Sequence, residues 1–366
     1  MKKTVCLLLA LCLLLGGCAG SSQETTAQTT AEPTTQVTTE ATTEVTTEPT
    51  TAPTEPPLPY NHPLTGIAIA EPVTNRPFAV VINNIKDAQP LHGIGQADML
   101  FEITAEGGGS ITRCLGIYTD IEQVTKLGAI RSSRTYFIDL ANAFGSVFVH
   151  AGGSTYAYNE LKKGVIDNLD GLYGSNYFYR DQARKQAGYA LEHTLFTSGE
   201  QLLAYAEKKG FETTSDEPLD FGYQFAEEPD IMGDSARRIE MHFSGKCGKG
   251  TILEYDETIG LYFATQKFGS KEMEFIDGNT ETTVSFRNVI LMFSKTTSDG
   301  YRMFAQLTGE GTGYFACDGV IVPIKWSRSK DTDPFVYTLE DGTPITLGVG
   351  TTYVGVLATK SPVTFE

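Results

Sequence analysis

The chain has 366 residues, with 28 Lys or Arg against 45 Asp or Glu and a formal net charge of −17 at pH 7. So acidic a chain has no general attraction for nucleic acid or anionic membrane, so any basic site on it must be local. Once the N-terminal tract is set aside, residues 60–366 are enough for two ordinary domains.

Residues 1–17 carry Lys2 and Lys3, a mainly apolar run from Val5 to Leu15, and Gly16-Gly17 before Cys18. That is the pattern of a secretory signal with a lipoprotein-type cleavage site, and it predicts lipidation of Cys18 as the mature N-terminus. The apolar run is short for a membrane span. The expected location is therefore the extracellular face of a cell membrane, held by lipid, with a Gram-positive-type envelope favoured by the segment that follows. Residues 18–59 are a Thr/Pro-rich linker: 19–59 hold fifteen Thr and six Glu and no Lys or Arg. With almost nothing apolar to bury, this tract is expected to stay disordered, as a spacer of up to about 120 Å when fully extended. O-glycosylation of its threonines is compatible with the composition but not established by it.

Of the net charge, +2 falls in the signal, −6 in the linker and −13 in residues 60–366. Setting aside Cys6, Cys12 and Cys18 leaves Cys114, Cys247 and Cys317, an odd set without a CxxC spacing. This is neither a disulfide framework nor a zinc site, although one Cys247–Cys317 bridge is conceivable.

Residues 60–211 alternate strand and helix. Strands are predicted over Phe78–Asn83, Asp98–Thr104, Ile111–Tyr118 and Ser146–His150. Tyr136, Phe137, Leu140, Ala141 and Phe144 recur at helical spacing, with Ser132 or Ser133 placed to cap that helix. A later helix is marked by the Ser198-x-x-Gln201 capping box and closed by Lys208-Lys209-Gly210. Residues 212–235 form an acidic connection with Pro218 and Pro229.

Residues 236–366 change to strands: Arg237–Phe243, Thr251–Tyr255, Leu261–Lys267, Thr283–Phe293, Tyr301–Gly309, Tyr314–Val322 and Thr351–Leu357. Asp277-Gly278, Ser298-Asp299-Gly300, Asp318-Gly319 and Asp341-Gly342 punctuate them as hairpin turns. The expected fold is α+β: an α/β N-terminal domain with a mixed sheet, then a β-rich C-terminal domain.

Candidate chemistry gathers between Ala129 and Ser154, where two successive strands give way to helices, the usual ligand position in open α/β sheets. Arg131 and Arg134, with Ser132 between them, read as a clamp for a carboxylate or phosphate, or as fold-holding ion pairs with Glu102, Glu106 or Asp139. Glu102 and Glu106 offer acid/base chemistry, or a buried salt bridge with Arg113 across the turn. In His150-Ala151-Gly152-Gly153-Ser154, Gly152 and Gly153 supply backbone donors. Ser154 serves as N-cap, ligand contact or nucleophile, and His150 either lines the site or is a satisfied interior residue. His193 is a further basic contact. No two His stand at a metal-ligand spacing, and neither metal nor cofactor is expected.

Taken together, Asn75-Arg76-Pro77, Gly95-Gln96-Ala97-Asp98, Glu106-Gly107-Gly108 with Thr112-Arg113, Gly128-Ala129-Ile130-Arg131-Ser132-Ser133-Arg134 and His150-Ala151-Gly152-Gly153-Ser154 resemble the YerB-type lipoproteins, a family defined by a DUF3048 domain. Gly311-Thr312-Gly313-Tyr314 and Ile324-Lys325-Trp326-Ser327 extend the resemblance to the C-terminal half, so that it spans roughly His62 to Leu357. The chain departs from the family pattern at Leu91-His92-Gly93 and at Thr194. The resemblance implies an exported lipoprotein with two successive domains and carries over no catalytic residues.

The leading expectation is a tethered lipoprotein that binds an anionic, peptidoglycan-related ligand in support of wall assembly or its regulation. Its partners would be the membrane, through the lipid, and a wall fragment or envelope protein, with no nucleic acid. The alternatives are a wall-directed hydrolase or transferase using Glu102 or Glu106 with His150, and a scaffold for an envelope synthase.

Overall fold

The computed structural model describes residues 58–243 and 248–366. The signal, Cys18, the linker up to residue 57 and Cys247 lie outside these residues. Strands dominate what is described and helices are few, so the mixed sheet of the expected α+β fold is present, while the α/β label fits the first half only loosely.

In chain order the principal elements are β1 (Phe78–Asn84), β2 (Met99–Glu106), β3 (Ile111–Tyr118), α1 (Thr135–Asn142), β4 (Val147–His150), α2 (Thr155–Leu161), β5 (Asn168–Asp170) and α3 (Gly199–Lys209). They continue with β6 (Arg238–His242), β7 (Lys249–Asp256), β8 (Leu261–Phe268), β9 (Asn288–Ser294), β10 (Gly309–Cys317), β11 (Val320–Arg328) and β12 (Thr352–Ala358).

One eleven-stranded sheet runs through both halves of the sequence in the order β11-β10-β9-β12-β2-β3-β1-β4-β5, with short strands added at β11. The last long strand, β12, lies between β9 and β2 and is parallel to both, with Val354 opposite Ile290 on one side and Phe101 on the other. β1, β4 and β5 are mutually parallel, and β3 runs antiparallel between β1 and β2. The carboxyl ends of β1, β2, β4, β5, β9 and β12 therefore emerge at one edge.

Continuous apolar runs such as Phe78-Ala79-Val80-Val81-Ile82 mark strands buried on both faces. On one face, Val81, Phe101, Ile103 and Leu115 pack against Tyr136, Phe137, Leu140 and Ala141 of α1 and Ala157 and Leu161 of α2. On the other, Val80, Ile82, Leu100 and Tyr353 pack against Leu202 and Ala206 of α3 and against Ile239, Met241, Leu253 and Tyr262 of a second sheet built on β6, β7 and β8.

The local punctuation has physical counterparts. Ser198 Oγ accepts from Gln201 N at 3.3 Å, and Gly210 closes α3 at φ 73°. Asp318 and Gly319, at φ 53° and 74°, turn β10 into β11, so the run read as Tyr314–Val322 is two strands. Likewise Thr283–Phe293 breaks into short pieces before β9, and within Tyr301–Gly309 only Met303–Ala305 is a strand before β10 begins at Gly309. Neither Ser132 nor Ser133 caps α1. Arg134 holds the N-cap position without a side-chain cap, because Ser133 is kept extended by backbone pairing to the Gly152 loop.

A candidate anion site at the carboxyl edge of the sheet

The two motifs that sequence reading singled out are joined by backbone hydrogen bonds. Arg131 N donates to Val81 O at 2.9 Å, Ala151 N to Arg131 O at 2.9 Å, Ser133 N to Gly152 O at 2.9 Å, and Ser154 N to Ser133 O at 3.2 Å. Residues 131–133 thus bridge the end of β1 and the loop after β4. Gly152 has φ 74°, a conformation that glycine adopts without penalty, and its N–H donates to Asp170 Oδ1 at 2.8 Å. Asp170 also accepts from Leu172 N at 3.0 Å and from the Tyr158 hydroxyl at 2.8 Å, so one carboxylate at the end of β5 organises the turn.

Three arginines meet at this edge. Arg113 Nη2 reaches Glu106 at 2.8 and 3.0 Å and its Nη1 donates to Ser132 O at 2.6 Å, while Arg134 Nη2 contacts the same Glu106 carboxylate. Arg131 Nη1 stands 3.5 Å from Glu192, whose side chain is 56% exposed. Burial, and next the nearby Arg131 charge, push the Arg113 pKa down to about 10, and burial lowers that of Arg134. Both remain cationic at neutral pH. The buried Nε atoms of Arg113, Arg131 and Arg134 and the buried Oδ1 of Asn83 have no hydrogen-bond partner among the described residues. Asn83 is also the β1 residue opposite Arg113. Its Nδ2 lies 3.0 Å from His193 Nδ1, and burial keeps the His193 pKa low, so this ring is neutral at pH 7. Asp139 does not serve the cluster: the charge that acts on its carboxylate is Arg328, next to burial itself.

Other predicted members turn inward. Glu102 is fully buried and accepts from Lys249 Nζ at 2.7 Å, Thr112 at 2.7 Å, Asn84 at 2.8 Å, Thr251 at 2.7 Å and Tyr353 at 2.9 Å. Burial raises its pKa, but the Lys249 charge and these donors outweigh that and hold it below the usual Glu range. Its partner is a lysine of the C-terminal half rather than Arg113. His150 is also fully buried: Nδ1 donates to Gly152 O at 2.8 Å, Nε2 lies 3.3 Å from the Asn168 amide, and the ring stacks on Phe148. It supports the turn from beneath and does not line the edge. Ser154 Oγ accepts from Ala157 N at 3.1 Å as the α2 cap, and Gly153 lies in the turn. Ser132 remains partly exposed beside Arg131.

Sequence reading missed the rim. A hairpin of the C-terminal half, Thr296–Ser298 paired with Met303–Ala305, reaches this edge: Tyr301 O accepts from Gly107 N at 3.1 Å, and the Arg302 backbone pairs with that of Glu106 as an isolated antiparallel β-bridge. The Ser298-Asp299-Gly300 turn was a signal for the hairpin, but nothing local indicates which strand end it covers. Asp170 was hidden because β5 is too short to show a periodicity. Among the described residues no group of three or more His, Cys, Asp or Glu is placed to hold a metal ion, and no helix is long and apolar enough to cross a membrane. Cys114 and Cys317 are buried free thiols.

The fold and the paired motif loops fall in segments shared with other proteins, and the chain belongs to the DUF3048 family. Residues 64–212 match the model described as the protein of unknown function (DUF3048) N-terminal domain, and residues 239–354 match its C-terminal domain. The chain is similar to the protein of Bacillus subtilis (strain 168) named "Putative lipoprotein YerB", with 28% identity over 301 residues covering 81% of this chain and 85% of that protein. The crystal structure of the YerB protein from Bacillus subtilis resembles this one with a TM-score of 0.70 at 25% identity, over 84% of this chain and 100% of that chain. The two family segments correspond to the two halves that contribute to the single large sheet.

Proposed function

We propose that this chain is a lipid-anchored protein on the extracellular face of the cell membrane that binds an anionic group of cell-envelope material, peptidoglycan-related, in support of wall assembly or its regulation. The anchor reading is supported by Leu15-Gly16-Gly17-Cys18 and by the name of its Bacillus relative. The binding reading is carried by one observation: at the carboxyl edge of the sheet Arg113 and Arg134 share the buried carboxylate of Glu106, and Arg131, whose charge acts on Arg113, pairs beside them with the exposed Glu192. Glu106 can neutralise only one of these charges. A buried surplus of guanidinium with unpaired Nε atoms favours an incoming anion. Arg113 and Arg134 are committed to Glu106 and set the field. Arg131, whose ion-pair partner among the described residues is the exposed Glu192, is the group that would exchange its partner for a ligand.

Acid/base catalysis by Glu102 finds no support, since a fully buried carboxylate held by Lys249, Thr251, Tyr353 and further donors reaches no substrate. Glu106 is likewise engaged by the guanidinium groups of Arg113 and Arg134. Retention of the full-length protein on purified cell-wall sacculi tests the reading. Wild type is expected to be retained and Arg131→Gln to be lost to the supernatant; equal retention of both, or retention of neither, contradicts it.

A further inference from the structure

Beside the arginine cluster, two tyrosines stand in solvent on different halves of the sequence. Tyr156, on the first turn of α2, is 48% exposed, and Tyr301, at the tip of the Thr296–Ala305 hairpin, is 61% exposed. The Arg302 guanidinium is within reach of both, 6.0 Å from the Tyr156 ring centre and 5.8 Å from that of Tyr301. Arg302 is steadied by Asp299 at 3.0 Å, and Phe304 meets the Tyr156 ring edge-on at 5.4 Å. The hairpin is tied to the anion site through Tyr301 O and Gly107 N, and both Tyr301 and Arg302 are close enough to act electrostatically on Arg134. Exposed aromatic rings held by a cation and by a supporting ring form a preset apolar face next to a cationic one.

Three kinds of ligand combine an anion with an apolar part. A lipid tail needs an enclosed apolar channel, whereas these rings are half in water. An extended peptide is recognised mainly through an unpaired strand edge, which the tyrosines are not. A pyranose ring has flat C–H faces that stack on tyrosine while its hydroxyls stay hydrated, which is what a shallow, solvent-facing aromatic platform suits. The −13 carried by residues 60–366 repels a densely charged polymer, so the charge on the ligand must be sparse.

Building on the anion site proposed above, we propose that its ligand is a saccharide bearing an isolated carboxylate, with its sugar rings on the exposed face that Tyr156 and Tyr301 line and the carboxylate directed to the adjoining arginine cluster. The two halves of the chain then share one ligand, the first supplying the anion contact and the second the hairpin wall.

Titration calorimetry of the full-length protein with three probes tests this: the disaccharide N-acetylglucosaminyl-N-acetylmuramic acid, with one carboxylate; the neutral di-N-acetylchitobiose; and triglutamate. Wild type is expected to bind the acidic disaccharide more tightly than either control. Tyr156→Ala and Tyr301→Ala should each weaken it about fivefold to tenfold, and Tyr301→Phe should leave it unchanged. Unaltered affinity in both alanine variants, or triglutamate binding as tight as the disaccharide, overturns the saccharide assignment while leaving the anion site standing. Chitobiose binding equal to the acidic disaccharide, unaffected by Arg131→Gln, overturns the anion site itself, and binding of no probe overturns both.

Discussion

Glu102 shows how a single residue changes meaning once its neighbours are known. In sequence it is a carboxylate in an apolar strand, open to catalysis but more often a salt-bridge member; in the fold it meets Lys249, which is 147 positions away. The pair lies between the large sheet and the second sheet, with Lys249 1% exposed. Removing one partner of a buried pair leaves the other charge unsolvated, so Lys249→Met is expected to lower unfolding free energy by about 3–5 kcal/mol in denaturant titrations. Adding Glu102→Gln to that variant should restore part of the loss, because the amide oxygen can still accept from Thr251 and Tyr353 while its NH2 can donate to the Thr112 hydroxyl oxygen. No recovery would mean that shape rather than charge sets the cost. Asp139 gives a prediction of opposite sign. Burial pushes its pKa up to about 6, Asp331 and Glu160 adding to this against Arg328. The folded state therefore holds a proton that the unfolded state releases near pH 4. Asp139 favours folding below that pH, and this contribution is lost as pH rises through 6. Asp139→Asn should accordingly be more stable than wild type at pH 7.5, with the gap closing toward pH 4. A pH-independent difference in thermal unfolding would contradict this.

Elements with local signatures were legible. The buried apolar runs gave β1 and β3 nearly to the residue, and α3 was announced at both ends by Ser198 and Gly210. What failed were signals that depend on distant partners. Ser133 has the chemistry of an N-cap, yet pairing with the Gly152 loop holds it extended one residue too early to serve. His150 ends a strand, as expected, but points into the core because the turn beyond it needs a donor for Gly152 O. The capping box also concealed a packing constraint. A Cβ on Gly199 would lie 1.7 Å from Ile121 O, so α3 begins where only glycine clears the neighbouring backbone. Although alanine is the better helix former, Gly199→Ala is expected to destabilise by about 1–3 kcal/mol through backbone displacement, read as a lower thermal midpoint. An unchanged or higher midpoint would show that the Ile121 segment yields freely.

At the scale of the whole molecule, the sequence divides into an alternating half and a strand-rich half, but composition does not reveal that both enter one sheet. The stitch is β12, whose run Tyr353-Val354-Gly355-Val356-Leu357 is an unremarkable buried strand in sequence, and whose placement between β9 and β2 follows only from the assembled fold. The same connectivity brings the Thr296–Ala305 hairpin over Glu106 and makes the candidate site a joint product of both halves. This explains why Arg131 and Arg134 could be identified as a pair from the Ala129–Ser154 stretch while the aromatic rim could not. On the proposed reading, Arg131 carries the charge available to a ligand. Calorimetric titration of the full-length protein with N-acetylglucosaminyl-N-acetylmuramic acid, repeated for Arg131→Gln and over a range of salt, tests it most directly. The prediction is wild-type binding that weakens as salt rises and falls about tenfold or more in the variant. Binding of equal strength in both proteins, indifferent to salt, would contradict it.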